Sequence, residues 1–315
     1  MHSNNAGKKD ARRLSGAAPK VIQINDHALG FYFGRGLTGE SGYETIAGNW
    51  INQGAWDLGI ANYVIYRNSS ALLFDSSTSP ECGFWIRDYL SSRLGIKDLT
   101  VVLSHWHLDH IAGLPAFSDC QIYALEETAD CLRQNRSAIE KGTLWGPPGI
   151  QVVLPTKTFS DALNLEIGDI QVKLSHYKIH SHDGLAMLIS SDRALYVGDM
   201  LEDTVSYIVE PAEIPTHLAE LARLRQSDID SIFPAHGSFA RIAEGGYKKS
   251  LIDAVIEYNQ NMIRYVNEAD YLNLEIEGLI PDALRSGAVT IWENYRAVHR
   301  DNLRRVYEHW QSPAT

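Results

Sequence analysis

The sequence is poor in cysteine, in basic residues and in long apolar runs, and each shortage excludes a class of protein. The three cysteines, at positions 82, 120 and 131, form no close pair, which argues against a disulfide framework and a cysteine-rich metal site. Lys and Arg number 28 against 39 Asp and Glu, and the formal charge is −11. This balance argues against the clustered basic surface that nucleic-acid binding requires.

No apolar run approaches the roughly 20 residues of a membrane span. The first 20 residues are polar and mildly basic, without the apolar core of a signal peptide. We therefore expect a cytoplasmic protein that binds neither nucleic acid nor membrane, and a homo-oligomer is compatible with the composition.

The length of 315 residues fits one large domain, or a domain with an appendage. We predict a disordered tail at 1–19 and a domain at 20–246. After Gly245 and Gly246 the apolar residues return at helical spacing, in one stripe over 251–266 and a second over 291–310, which predicts a helical C-terminal extension at 247–315, packed on the domain.

Strand-like and helix-like segments alternate before that extension. The patterns predict a hairpin over 21–33, paired strands at 62–66 and 71–74, helices at 81–94 and 125–140, and strands at 171–174 and 187–189. Interleaved strands and helices of this kind predict a layered α/β sandwich. The glycine-rich stretch 34–56, which also carries Tyr43, Trp50 and Trp56, forms either a flap over a site or an ordinary long connection.

One hexapeptide carries most of the chemical information. His105, His107, Asp109 and His110 fall within six positions, directly after the apolar run 101–103. If the segment is extended, residues two apart share a face, so both imidazoles of His105 and His107 can reach one ion while Trp106 faces the opposite side. Asp109 and His110 would follow from a turn. Clusters of His and Asp bind metal, and the alternative is a set of surface histidines.

This segment resembles the metal motif of the metallo-β-lactamase-fold superfamily, in a glyoxalase II-like or lactonase-like branch. Three further family signatures are matched, in order along the chain, by His180, Asp199 and His236. The resemblance covers roughly residues 55 to 245 and implies a four-layer αββα sandwich. It also implies that His105, His107 and His180 hold one metal, that Asp109, His110 and His236 hold the other, and that Asp199 bridges them.

Two neighbours of these residues have alternative or supporting roles. His182 competes with His180 as the ligand, since it lies in the stretch that follows the family histidine. Asp75, which ends a predicted strand, is a candidate carboxylate for supporting a ligand.

The resemblance implies a hydrolase with two divalent ions, most simply zinc, with manganese or iron as alternatives. A metal-bridging hydroxide would attack a small-molecule substrate of the ester, lactone or thioester type, with Asp109 or Asp199 relaying a proton. The alternatives are a phosphodiester hydrolase, a mononuclear iron oxygenase of the same fold, and a metal-retaining signalling or binding protein. Tyr207, Tyr295 and His299 are the candidate substrate-binding residues.

Overall fold

The computed structural model describes residues 18–38, 41–43 and 47–311, except for the side chains at 52 and 53. Most of the predicted N-terminal tail, at 1–17, lies outside the described residues. The described residues form two compact units, which divide between Ser175 and His176. The predicted boundary after residue 246 therefore falls inside the second unit.

The first unit is built on a seven-stranded sheet whose strands follow one another in chain order. The strands are β1 (Lys20–Asn25), β2 (Ala28–Phe33), β3 (Ile60–Arg67), β4 (Ser70–Phe74), β5 (Asp98–Val102), β6 (Gln121–Leu125) and β7 (Lys157–Phe159). Strands β1 to β4 pair antiparallel, and β4 to β7 pair parallel. Strands β2 to β4 are largely buried, as their apolar runs predict.

Helices connect the parallel strands of this sheet. The helical segments of the first unit are Ile51–Ala55, Trp56–Leu58, Pro80–Leu94, Leu108–Ile111, Leu114–Phe117 and Glu126–Glu140. The helix Pro80–Leu94 begins with Ser79, whose side chain accepts from the Cys82 amide, and ends at Gly95 in the left-handed conformation. A hairpin of β8 (Ala162–Ile167) and β9 (Ile170–His176) follows. The predicted hairpin at 21–33, the paired strands and both helices are thus confirmed.

The second unit combines three strands with a set of helices. Strand β11 (Ala194–Gly198) pairs antiparallel with β10 (Leu185–Ile189) and parallel with β12 (Ser231–Pro234). The helical segments are Pro211–Glu213, Ile214–Leu224, Phe239–Ala243, Ser250–Arg264, Tyr271–Asn273, Ile276–Leu279, Pro281–Ser286 and Tyr295–Gln311. The predicted helical character of 247–311 is therefore found. Among the described helices, none combines the length and the apolar character that a membrane span would need.

The second unit has its own core. Leu251, Val255 and Met262 are buried along the helix Ser250–Arg264, which matches the apolar stripe seen in the sequence. The second predicted stripe, over 291–310, is shorter than expected, because the helix begins only at Tyr295.

Candidate metal centre

The first ligand set consists of His105, His107, Asp109 and His110 and lies in the first unit. Strand β5 ends at Val102, so His105 and His107 lie in the loop after it and not on the strand itself. The Ser104 amide donates to Asp75 Oδ1 at 2.7 Å, which draws it away from the strand ladder. The prediction that both histidines lie on the strand was therefore wrong, although the His107 backbone is extended, with φ −66° and ψ 152°.

The consequence for Trp106 follows directly. Off the strand, neighbouring side chains need not point to opposite faces, and the Trp106 ring lies 5.7 Å from that of His107. The two histidines nevertheless converge, with His105 Nε2 2.9 Å from His107 Nδ1. Asp109 and His110 lie on the one-turn helix Leu108–Ile111, with Asp109 Oδ2 3.5 Å from His110 Nε2.

Buried polar groups orient this set. His110 Nδ1 lies 2.8 Å from Asp75 Oδ2, so its Nε2 is the atom directed toward Asp109. The His110 carbonyl accepts from the Ser76 amide and hydroxyl, both at 2.8 Å. Asp75 therefore contacts the candidate ligand His110, as its predicted supporting role requires. Ser76 and Ser104 carry no signal in the sequence that would single them out.

A close backbone approach fixes the position of this loop. The Gly113 amide donates to the Ser77 carbonyl at 3.0 Å. A Cβ atom at Gly113 would lie only 1.8 Å from the Ser76 carbonyl oxygen, so no side chain fits there. The glycine therefore permits the contact between the 75–79 loop and the ligand loop.

The second ligand set consists of His180, Asp199 and His236 and lies in the second unit. Asp199 follows β11 directly, after Gly198 in a left-handed conformation with φ +53°. Its Oδ2 lies 3.8 Å from His180 Nε2 and 3.5 Å from His236 Nε2. The Ala235 amide donates to the Gly198 carbonyl at 2.8 Å, which brings the ends of β11 and β12 together.

The structure distinguishes His180 from His182. His180 is buried beside Asp199. The side chain of His182 is 42 % exposed, and its Nδ1 lies 2.7 Å from Glu210 Oε1. His180, the predicted residue, is thus the histidine that the fold places next to the bridging candidate.

The 202–208 loop, which follows Asp199, is tied to the C-terminal extension by hydrogen bonds. Glu202 Oε2 accepts from the Tyr295 hydroxyl at 2.9 Å, and Asp203 Oδ1 accepts from the Thr290 amide at 2.9 Å. Asn302 donates to the Ser206 carbonyl at 2.9 Å. The extension therefore holds the segment next to the second ligand set.

Two further contacts bring this loop to the ligands themselves. The Asp203 amide donates to the His236 carbonyl at 3.0 Å, and the Tyr247 hydroxyl donates to Asp203 Oδ2 at 2.6 Å. Burial, and secondarily the charge of Asp199, raise the pKa of Glu202 well above its ordinary range. No pattern in the sequence singles out Glu202 or Asp203 as supporting residues.

The three predicted substrate-binding residues are largely buried within the second unit. The Tyr295 hydroxyl forms a hydrogen bond to Glu202. His299 Nδ1 lies 2.9 Å from the Tyr258 hydroxyl, and His299 Nε2 lies 2.8 Å from the Leu274 carbonyl. The Tyr207 hydroxyl donates to Asp301 at 2.8 Å, and burial raises the pKa of Tyr207 to about 12. Substrate contact by these side chains remains a prediction, and their contacts favour supporting roles.

The glycine-rich stretch is described in part. Residues 39, 40 and 44–46 lie outside the described residues, so the flap remains a prediction. The Trp50 amide and indole Nε1 donate to the carbonyls of Pro147 and Pro148, both at 3.1 Å. Trp145, on the same loop, has its ring 5.1 Å from that of His107 and 4.8 Å from that of Trp106. The Trp145 backbone is in the left-handed conformation, and the residue is 43 % exposed.

The distances between neighbouring ligand atoms in each set suit a divalent metal ion. Ligand atoms that each lie about 2.0–2.2 Å from one zinc ion are at most roughly 4.4 Å apart. Every ligand pair described above satisfies this limit within its own unit. Imidazole and carboxylate are also the donors that zinc, manganese and iron accept. The donor chemistry therefore matches metal binding.

The fold and the two His/Asp sets define a metal-binding α/β sandwich, and comparison with known proteins identifies the family. The family model of the metallo-β-lactamase superfamily matches residues 56–236, which is more than half of the chain. The chain belongs to this superfamily. The predicted αββα fold is confirmed by this match and by solved structures. A metallo-β-lactamase from Pontibacter korlensis aligns with a TM-score of 0.58 and 17 % identity over 77 % of this chain and 99 % of the other.

The curated relatives of this chain are named after different activities. An atrochrysone carboxyl ACP thioesterase from Aspergillus fumigatus is 26 % identical over 76 % of this chain and 51 % of its own length. A lactamase-like protein from Pestalotiopsis fici is 28 % identical over 59 % of this chain and 53 % of its own. A linear primary-alkylsulfatase from Pseudomonas is 20 % identical over 66 % and 47 %. The chain thus spans about half the length of the curated relatives it matches.

Proposed function

We propose that the protein is a metal-dependent hydrolase in which the two ligand sets act together on two divalent ions. The observation that carries the proposal is the presence, in a chain of this superfamily, of every ligand position of the family pattern. In this assignment, one ion would be held by His105, His107 and His180, and the other by Asp109, His110 and His236. Asp199 would bind both.

Divalent ions held in this way supply an activated water molecule and a Lewis acid. The chain contributes the groups around them. Asp109 has a side chain 15 % exposed, whereas His110 is fully buried, so Asp109 is the member of the first set placed to exchange a proton with solvent. We assign it as the proton acceptor, and Asp199 as the carboxylate that fixes the ligand spacing.

The proposed substrate is an ester, lactone or thioester, with the thioester first. Relatives named as acyl-carrier-protein thioesterases support this choice. Trp106 and the partly exposed Trp145 also place an apolar aromatic surface beside the ligand His107, which suits an apolar acyl group. Zinc is the proposed metal, with manganese or iron as the alternatives that metal analysis would identify.

Metal content tests the two-ion assignment. Purified wild-type protein should carry about two ions per chain by elemental mass spectrometry. His110→Ala and His236→Ala should each lose one ion selectively, because they belong to the same proposed ion from different units. A wild-type protein that saturates at one ion would contradict the assignment and would favour a mononuclear site.

A substrate screen tests the reaction. The wild-type protein should hydrolyse acyl thioesters or esters faster than phosphodiesters and alkyl sulfates of similar size. Turnover confined to a phosphodiester or a sulfate ester would overturn the acyl assignment while leaving the hydrolase in place. Full metal occupancy without turnover on any of these substrates would overturn the hydrolase itself and favour a binding protein.

A further inference from the structure

The ligand His180 has a strained backbone that its surroundings must hold. Its φ is +66°, in the left-handed region that residues with a side chain seldom adopt. Such strain persists only where neighbouring contacts over-determine the conformation, and it tends to occur at functional sites. The imidazole ring makes one of these contacts, since His180 Nδ1 donates to the Tyr207 carbonyl at 3.0 Å.

Glu202 holds the backbone of Tyr207, the residue whose carbonyl receives this bond. Its Oε1 accepts from the Tyr207 amide at 2.9 Å and lies 3.9 Å from His180 Nδ1. Its Oε2 accepts from the Tyr295 hydroxyl at 2.9 Å. Both Glu202 and Tyr295 are fully or almost fully buried, so water does not replace these partners. The two oxygens of one carboxylate therefore join the ligand loop to the C-terminal extension.

We propose that Glu202, held in place by Tyr295, is a positioning residue that sets the ring orientation and the tautomer of His180. The Tyr207 carbonyl, on a residue that Glu202 holds through its amide, favours the tautomer with a proton on Nδ1, which leaves Nε2 directed at Asp199 as the metal-ligating atom. The inference rests on the proposed metal-dependent function. It gives the C-terminal extension a part in metal binding, although it contributes no ligand to the assignment.

The test compares Glu202→Gln and Tyr295→Phe with the wild-type protein. Tyr271→Phe is the matched control, since Tyr271 is a buried tyrosine of the same extension whose hydroxyl contacts the Met262 sulfur at 3.7 Å. Zn²⁺ affinity is measured by competition with a chromophoric chelator, and the Co²⁺-substituted protein is compared by its visible spectrum. Thermal unfolding of the metal-free proteins reports on the fold.

Glu202→Gln should weaken Zn²⁺ binding by about 10- to 100-fold, the usual effect of removing a group that orients a ligand. Tyr295→Phe should weaken it less and in the same direction, and both should alter the Co²⁺ spectrum. Tyr271→Phe should bind Zn²⁺ like the wild type. If Glu202→Gln does not fold, Tyr295→Phe carries the test alone.

Wild-type affinity with an unchanged Co²⁺ spectrum in both variants would overturn the positioning role. Equal weakening in the Tyr271→Phe control would also overturn it, because the effect would then be one of general packing. Neither result depends on turnover. A wild-type protein that binds Zn²⁺ tightly but hydrolyses nothing would overturn the proposed hydrolase and leave the positioning role supported by the affinities.

Discussion

The two ligand sets differ in how far apart in the sequence their members lie. The first set comes from six consecutive positions, 105–110, on one loop and one helical turn. The second set brings together His180, Asp199 and His236 from three separate segments of the second unit. Local chain geometry can place the first set, whereas only the tertiary fold can place the second.

Their supporting contacts differ in the same way. Asp75 and Ser76 hold the first set through one short loop that follows β4. The second set depends on the 202–208 loop, which is held in turn by residues 290–302 of the C-terminal extension. The difference indicates that changes in the extension should act on the second set and leave the first intact.

The largest expected effect comes from Asp199, the residue assigned to both ions. Asp199→Asn should lower turnover by about 10²-fold or more, because an amide is a poorer bridge and small displacements of reacting groups are that expensive. The fold should remain, since the core is made by apolar strands and helices that the change does not touch. Steady-state kinetics on a substrate from the screen, with thermal unfolding, measure both effects.

Asp228→Asn is the matched control for this change. Asp228 is an exposed carboxylate of the same unit, paired with Arg193, and its side chain is 82 % exposed. An exposed pair of this kind contributes little to stability, so this variant should behave like the wild type. Normal turnover and two bound ions in Asp199→Asn would make Asp199 a structural turn residue and would require the ligand assignment to be redrawn.

A pair of buried carboxylates sharpens the comparison between the sets. Asp75→Ala removes the partner of the Ser104 amide and of His110, and Asp203→Ala removes the partner of the Thr290 amide and the Tyr247 hydroxyl. Buried donors left without acceptors cost about 1–3 kcal/mol, so each variant should lose about 2 kcal/mol of unfolding free energy. Urea unfolding of the metal-free proteins measures this loss.

Metal binding by double variants should then show which ligand set depends on Asp203. Combined with His236→Ala, Asp203→Ala should add little further loss of metal binding, because both changes act on the second set. Combined with His105→Ala, which belongs to the first set and to the other proposed ion, it should add a clear loss. Equal additivity in both combinations would show that the two sets respond to the loop as one, contrary to the comparison.

The first set could be proposed from the sequence because its signal is local. Four metal ligands in six positions, after an apolar run, are visible without a fold. The prediction that failed was that His105 and His107 lie on a strand. It failed because the Ser104 amide bonds to Asp75, a partner that lies 29 positions away in the sequence. A periodicity argument does not contain such a contact.

The supporting residues of the second set could not be predicted for the same physical reason. Glu202 and Asn302 are ordinary polar residues in the sequence, and their contacts join positions more than 90 residues apart. The apolar stripe at 291–310 predicted a helix there, but the segment before Tyr295 is bonded to Asp203 and Thr204 and is not helical. Hydrogen bonds to residues distant in the sequence therefore determine where this helix begins.

The smallest expected effect concerns the aromatic surface beside the first set. Trp145→Ala should raise KM for substrates with an apolar acyl group by about tenfold and change kcat little. It removes apolar contact area next to His107 without altering a ligand, and a loss of about 1.4 kcal/mol in binding corresponds to that factor. Trp310→Ala is the matched control, because Trp310 is 41 % exposed against 43 % for Trp145 and lies on the last helix. Substrates with a short acetyl group should show a much smaller change in KM. An equal rise in KM for acetyl and long acyl substrates would mean that Trp145 acts through the conformation of its loop and that the acyl group binds elsewhere.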